Sequence, residues 1–387
     1  MANLHFDIRD LFQVIRLGWS GKKIWAGLVG LGIAYAVYSI LVAIGYAVSG
    51  MAFSQVWEAH GLFPGAAPEK VGGIASVLHL IAMVTAGVIL FLSTCVMCKV
   101  TYQQLRGDDF YTSGEALRFV KEHWGGVVFG PIACAALFVV FLMSGIVIGW
   151  IAGILPVAGE LVFALAFIPI FFAALVAVFM VFAILAASIM SPAIVGTVGE
   201  DALEVVIQAF SLCWSQPWRL VLYLAWVVIS VWIGTTILSG LMTLAMGLIG
   251  WASGMFMGDK LPGMLQVAQV YLPPIDFSSS IRYVYPEMAT VWDDLPDGTQ
   301  PGSVVWSGRI LGVMLIILTG VLFSYAQAAF ASGTSLIYVI LRRKKDEENM
   351  LEWEDPDFEE FSFDEDEVET ESGVEETPAE SKPEEDA

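Results

Sequence analysis

Leu161–Ile189 reads LVFALAFIPIFFAALVAVFMVFAILAASI, a run without a single Asp, Glu, Lys or Arg. A helix needs about 20 such residues to cross about 30 Å of hydrocarbon, and every backbone polar group in that layer must be satisfied within the protein. The stretch therefore reads as a membrane span. Five further charge-free stretches qualify: Ile24–Val48, Ile74–Met97, Val127–Ile154, Leu220–Ile249 and Ile310–Ile340. The expected fold is all-α: an integral membrane bundle of six transmembrane helices. Pro169 lies near the start of the Leu161–Ile189 span, and Ser191-Pro192 predicts its end.

Composition agrees with this and locates the charge. The 387 residues are 57% hydrophobic and 15% charged, with a mean hydropathy of +0.73 and a net charge of −21. Soluble domains carry about a quarter charged residues. From Asp346 to Ala387 there are 21 acids and one base, Lys382, so Met1–Lys345 carries a net charge of only −1. A nearly neutral membrane body with an acidic tail excludes a soluble globular enzyme, a secreted disulfide scaffold and a nucleic-acid binder. The first 23 residues mix charges with apolar positions and do not read as a cleavable signal peptide. The four cysteines fall within or beside the spans, so no structural disulfide is expected.

The bases set the expected orientation. Arg9, Arg16, Lys22 and Lys23 precede the first span, and Lys99, Arg106, Arg118 and Lys121 follow the second. The last span runs into Arg342, Arg343, Lys344 and Lys345, the topology anchors. With both termini cytoplasmic, 14 bases lie inside and 4 outside. The chain divides into a cytoplasmic amphipathic N-terminal helix (1–23), a six-span membrane domain (24–345) with an external loop at about 251–308, and a disordered acidic cytoplasmic tail (346–387). The expected location is a bacterial-type inner membrane.

Each odd-numbered span follows a short amphipathic segment. One face carries Ile8, Leu11, Phe12, Ile15 and Trp19 in the first, Ala116, Leu117, Val120 and Trp124 in the second, and Ala202, Val205, Val206, Ala209, Phe210 and Cys213 in the third. This is the spacing of a helix on an apolar surface. Gly114-Glu115-Ala116-Leu117 beside Gly199-Glu200-Asp201-Ala202-Leu203 supports an internal repeat: three hairpins, each with a cytoplasmic elbow helix. Independent amphipathic helices at the interface are the alternative. Pro192-Ala193-Ile194-Val195, the acidic pair, an Ala-rich amphipathic helix, Trp214 and then Trp218-Arg219 resemble the polytopic membrane domain of some bacterial glycerophosphoryl diester phosphodiesterases and its stand-alone relatives. The ending Ser335–Arg343 is similar to theirs as well. The resemblance covers about residues 10–345 and implies membrane residence. With no soluble stretch of about 250 residues to form the catalytic barrel, it carries over no catalytic residue.

Several residues invite chemistry. Cys95 and Cys98 share a helix face, and with His123 and Cys213 could form a metal or redox cluster, or simply fill space as small apolar groups. His79 is the one ionisable group of the His, Asp, Glu, Lys and Arg set inside these spans; it serves a path through the membrane or hydrogen-bonds locally. Small residues at every fourth position (Ala26/Gly30/Ala34, Gly145/Gly149/Gly153 and Gly250/Gly254/Gly258) read as helix-packing ridges. Asp293-Asp294-Leu295-Pro296-Asp297-Gly298 reads as a turn, since it lacks the ligand spacing of a calcium loop. Trp353, Phe358, Phe361 and Phe363 stand among acids in the tail, a pattern of short binding segments. They are candidates for docking a basic cytoplasmic protein or the chain's own helices, against a purely solvating tail.

No nucleophile–base pair, complete metal site or phosphate loop emerges, so neither enzymatic activity nor a cofactor is expected. The function expected is a non-enzymatic membrane component that organises partners or lipids through its surface helices and tail. A transporter or channel for a neutral or lipid-like substrate is the alternative. Membrane lipid is an expected partner and nucleic acid is not; the oligomeric state is left open.

Overall fold

The computed structural model describes residues 5–50, 73–155, 157–199, 201–258, 260–270, 301–347 and 349–352. Among them the chain is helical and contains no strand. A 3-10 turn, Ile8–Gln13, leads into α1 (Val14–Gly18). It is followed by α2 (Gly21–Val48), α3 (Gly73–Arg106), α4 (Ser113–Ile154), α5 (Ala158–Leu165), α6 (Phe167–Val198), α7 (Ala202–Ser215), α8 (Pro217–Met257), α9 (Lys260–Val270) and α10 (Gly302–Asp346). A last 3-10 turn spans Met350–Glu352. Six of these helices, α2, α3, α4, α6, α8 and α10, are long and apolar enough to cross a membrane. The chain is a polytopic membrane protein of the all-α class.

Local chemistry sets the helix ends. Thr112 and Glu115 form a capping box at the start of α4: the Thr112 hydroxyl accepts from the Glu115 N–H at 3.3 Å, and the Glu115 carboxylate accepts from the Thr112 N–H at 2.7 Å. Pro217 occupies the first turn of α8, where its missing N–H costs nothing. Gly199 closes α6 at φ +77°, a left-handed conformation that a Cβ would strain.

The helices are knit together at one end. Asp7 meets Lys344 at 2.6 Å, and the Arg343 guanidinium lies 3.7 Å from the Phe6 ring centroid, so the N-terminal segment and the end of α10 share that end. We call it the basic end. Here the last turns of α10 are buried without interruption from Ala331 to Leu341. A helix apolar or small all round is an interior helix. Its neighbours approach closely at small residues. Gly18 of α1 lies against Ala329, Gly27 of α2 against Ser324 and Met97, and Gly333 against Val227 of α8. Gln327 ties α10 to α3, its Nε2 donating to the Leu90 carbonyl and the Thr94 hydroxyl, each at 2.9 Å. At the other end α4 and α6 expose Val140, Ile146, Trp150, Phe167, Phe171 and Leu175, an apolar surface suited to acyl chains.

The structure revises several boundaries. Pro192 does not end its helix: α6 continues to Val198, because the turn around it is fully buried and the Ser191 hydroxyl donates to the Val127 carbonyl of α4 at 2.8 Å. The fourth span starts at Phe167, after the separate short helix α5. The amphipathic stretch Ala116–Trp124 is the opening of the 42-residue α4 and not a separate elbow, since no proline or glycine φ reversal interrupts it there. The first and third elbows do form distinct elements, the Ile8–Gly18 segment and α7. The long loop begins with α9, whose Leu261, Leu265 and Ala268 pack on Leu315 of α10. The Asp293–Gly298 turn lies outside the described residues.

The small-residue ridges divide. Gly30 is buried against Ser93 of α3, whose hydroxyl donates to the Ala26 carbonyl at 3.3 Å. Gly145, Gly149 and Gly153 face open space, because the outer half of α4 stands away from its neighbours. Gly196, outside the three ridges, presses against Cys98 and the α3 backbone at Cys95 and Lys99. Gly196→Leu therefore overpacks the α3–α6 crossing and costs about 1–3 kcal/mol. Gly149→Leu, made into open space, leaves the melting temperature in detergent close to that of the parent. Thermal unfolding of the two purified variants checks the contrast.

Candidate functional site at the basic end

The polar groups of the bundle collect where the packing is tightest. Lys23, in the first turn of α2, is 0% exposed, and Lys99, near the end of α3, is 2% exposed. An ammonium taken out of water is tolerated only when its donors are met. Lys23 Nζ donates to the Thr101 hydroxyl at 3.2 Å and the Ser332 hydroxyl at 3.1 Å. These hydroxyls lie 3.1 Å apart, and Thr101 also donates to the Met97 carbonyl at 2.8 Å. Lys99 Nζ sits 3.8 Å from the centroid of Phe119, within reach of a cation–π attraction. Cys98 adjoins this cluster, its thiol donating to the Ala331 carbonyl at 3.6 Å.

A cleft of about 850 Å³ opens between the N-terminal segment and the end of α3. One wall is the N-terminal segment, with Phe12, Gln13, Ile15, Arg16, Leu17 and Trp19; the other is the end of α3 and the turn after it, with Gln104, Leu105, Gly107 and Asp109. The first wall is held by Phe12 on Trp226, with ring centroids 4.7 Å apart, and by Trp19 edge-on to Tyr325 at 5.5 Å. The second is held by Lys22, whose Nζ donates to the Asp109 carbonyl at 2.6 Å and the Tyr111 carbonyl at 3.2 Å.

The root of the tail is fixed at the same end. Met350 and Leu351 are buried, and the Tyr102 hydroxyl donates to the Met350 carbonyl at 2.6 Å. Trp353, Phe358, Phe361 and Phe363 lie outside the described residues. The four anchors are engaged rather than merely flanking a span. Arg342 pairs with Asp346 at 2.7 Å and donates to the Tyr338 hydroxyl at 3.2 Å, Arg343 covers Phe6, Lys344 pairs with Asp7, and Lys345 lies 3.3 Å from Asp346.

The other candidates are dispersed. Cys95 and Cys98 are both buried on α3, whereas Cys213 lies on α7 and donates to the Phe182 carbonyl of α6 at 3.8 Å. His123 stacks on Phe119, ring centroids 4.4 Å apart. Among the described residues no three His, Cys, Asp or Glu side chains gather where one ion could be held. His79 is half-buried and meets Tyr38 edge-on at 5.7 Å.

The sequence presents Lys23 and Lys99 only as markers of orientation, because they lie just outside its charge-free windows. The available signal was the run of small hydroxylated residues, Ser332-Gly333-Thr334-Ser335, at the same level of the last span. No family model, curated protein or solved structure matches the chain.

The pairing of Thr101 with Ser332 predicts an asymmetry. Ser332→Ala leaves a buried ammonium short of an acceptor and costs about 1–3 kcal/mol. Lys23→Met removes the charge while the hydroxyls keep other partners, so stability in detergent is retained or raised. Melting temperatures of the two variants test this. A second prediction concerns Asp7, whose carboxyl is held below its ordinary value of 3.8, chiefly by the hydrogen bond and charge of Lys344. A lowered carboxyl stabilises the fold above its ordinary value, and that contribution is lost as the pH falls through the lower folded value. Titration of Asp7 by NMR should give a midpoint below 3.8 that rises in Lys344→Gln.

Proposed function

We propose that this chain is a non-enzymatic component of a bacterial-type inner membrane, with both termini cytoplasmic, that organises protein partners or lipids at its cytoplasmic face. The buried root of the acidic tail carries this reading. Met350 and Leu351 are packed into the basic end, so the tail leaves the bundle from a fixed point beside the N-terminal segment. A short acidic-aromatic segment tethered this way gains effective concentration at nearby surfaces. The charge distribution suits a basic partner, with 21 acids beyond Lys345. The resemblance to the membrane domain of glycerophosphoryl diester phosphodiesterases belongs to the same reading, and it too implies residence in a membrane rather than a reaction.

Transport of a neutral or lipid-like substrate is the second reading. The observation in its favour is Lys23, a buried ionisable side chain inside a spanning bundle, where such groups often mark a substrate path.

Truncation after Glu352 keeps the docked root and removes the remaining tail. The full chain should retain a basic protein partner through purification from native membranes, and the truncated chain should lose it while keeping its melting temperature. Replacing Trp353, Phe358, Phe361 and Phe363 together by Ser should weaken retention in the full-length chain. Retention of every partner by the truncated chain overturns the tail's role. Substrate flux into liposomes that depends on Lys23 would move the assignment to the second reading.

A further inference from the structure

We propose that the cleft between the N-terminal segment and the end of α3 is a headgroup site for a zwitterionic phospholipid carrying a primary ammonium. This rests on the lipid-organising reading above and names the lipid class. The two walls bear opposite charges. Arg16 is exposed on one and Asp109 on the other, and neither forms an ion pair among the described residues. The adjoining Lys22 is occupied by backbone carbonyls, so it fixes the turn that carries Asp109 rather than competing for the carboxylate. A guanidinium suits a phosphodiester, to which it can donate two parallel hydrogen bonds. A carboxylate suits an ammonium.

Gln104 supplies the independent observation. Its Oε1 is buried and accepts no hydrogen bond among the described residues, although it belongs to the cleft wall. A buried acceptor without a donor costs free energy. A primary ammonium brings three N–H donors, enough for both Gln104 and Asp109. A quaternary ammonium brings none, and a glycerol headgroup brings no positive charge to set against Asp109.

The setting fits a lipid. The N-terminal segment packs on the spanning helices through Gly18 on Ala329 and Tyr325 on the Ile15 carbonyl, which places it beside the membrane boundary. Phe12 and Trp19 remain 62% and 59% exposed on this wall, and Trp19 is the amphipathic ring type found at membrane interfaces. Ile15 and Leu17 add apolar surface for the glycerol and the first acyl methylenes.

Native mass spectrometry of the full chain, released from nanodiscs containing equal amounts of phosphatidylethanolamine, phosphatidylcholine and phosphatidylglycerol with identical acyl chains, tests the site. Retention of phosphatidylethanolamine should exceed that of phosphatidylcholine by about tenfold, the worth of one charge-assisted hydrogen bond. Q104L combined with D109N should bring the two lipids level, and R16Q should weaken retention of both, each variant keeping the parent melting temperature. Equal retention by the parent chain overturns the proposal, as does a preference that survives in the double variant. A preference that emerges only after truncation at Glu352 also overturns it, because the tail would then be the occupant. Loss of lipid preference with tail-dependent partner retention intact overturns the lipid site alone and leaves the partner reading standing.

Discussion

Close approach of helices around the last turns of α10 is the constraint on which the remaining structure depends. Lipid gives helices no hydrophobic drive to associate, so packing contacts and interhelical hydrogen bonds must do it. The segment from Gln327 onward supplies them. Ala329 admits Gly18, Gly333 admits Val227, and Gln327 reaches a carbonyl and a hydroxyl on α3. A larger residue at any of these contacts would separate the helices and strip α10 of its wrapping. The six spans therefore act as one body at this end, and the amphipathic segments and the tail root fasten onto a surface that is already built.

The same packing explains how two lysines come to be buried. Lys23 lies where α2, α3 and α10 converge, and the hydroxyls of Thr101 and Ser332 replace part of its hydration. Lys99 uses the face of Phe119. Neither arrangement is an economical way to stabilise a bundle, since apolar residues of similar size would serve as well or better. Their cost is offset by the surrounding contacts at this end. The opposite end carries no comparable knot in α4 and α6, whose outer halves are exposed and apolar on most sides. Motion between the outer halves should thus be easier than motion at the basic end, where each helix is held by several others.

The spans were legible because the rule behind them is simple: a long charge-free run in a chain of this hydropathy has one stable solution. Their ends were less so. Pro192 reads as a terminator in isolation, yet burial and the Ser191 contact carry the helix through it. The Ala116–Trp124 stretch has the periodicity of a surface helix, and periodicity does not reveal whether such a helix bends before the span. The Gly145/Gly149/Gly153 ridge has the same spacing as Ala26/Gly30/Ala34, and only the neighbours distinguish them: Ser93 faces Gly30, and nothing faces the former. The cleft was not legible at all, because its walls are far apart in the chain. Arg16 and Asp109 meet one opening only after α1 docks on α10 and Lys22 clamps the turn beyond α3.

The bases change meaning when read in three dimensions. By sequence they are markers of membrane orientation, interchangeable in that role. In the fold many of them have distinct contacts. Lys22 holds a turn, Lys23 and Lys99 are sealed in the bundle, Arg343 covers Phe6, and Lys344 and Arg342 pair with Asp7 and Asp346. Such commitments use up the positive charge that would otherwise attract anions without selectivity. Arg16 is exposed, lines the cleft and forms no ion pair among the described residues. A general affinity for anionic surfaces would draw on many cations at once and fall steeply with salt. A site built on one guanidinium, one carboxylate and one unmet carbonyl depends on geometry, so its selectivity should persist when the surface field is screened.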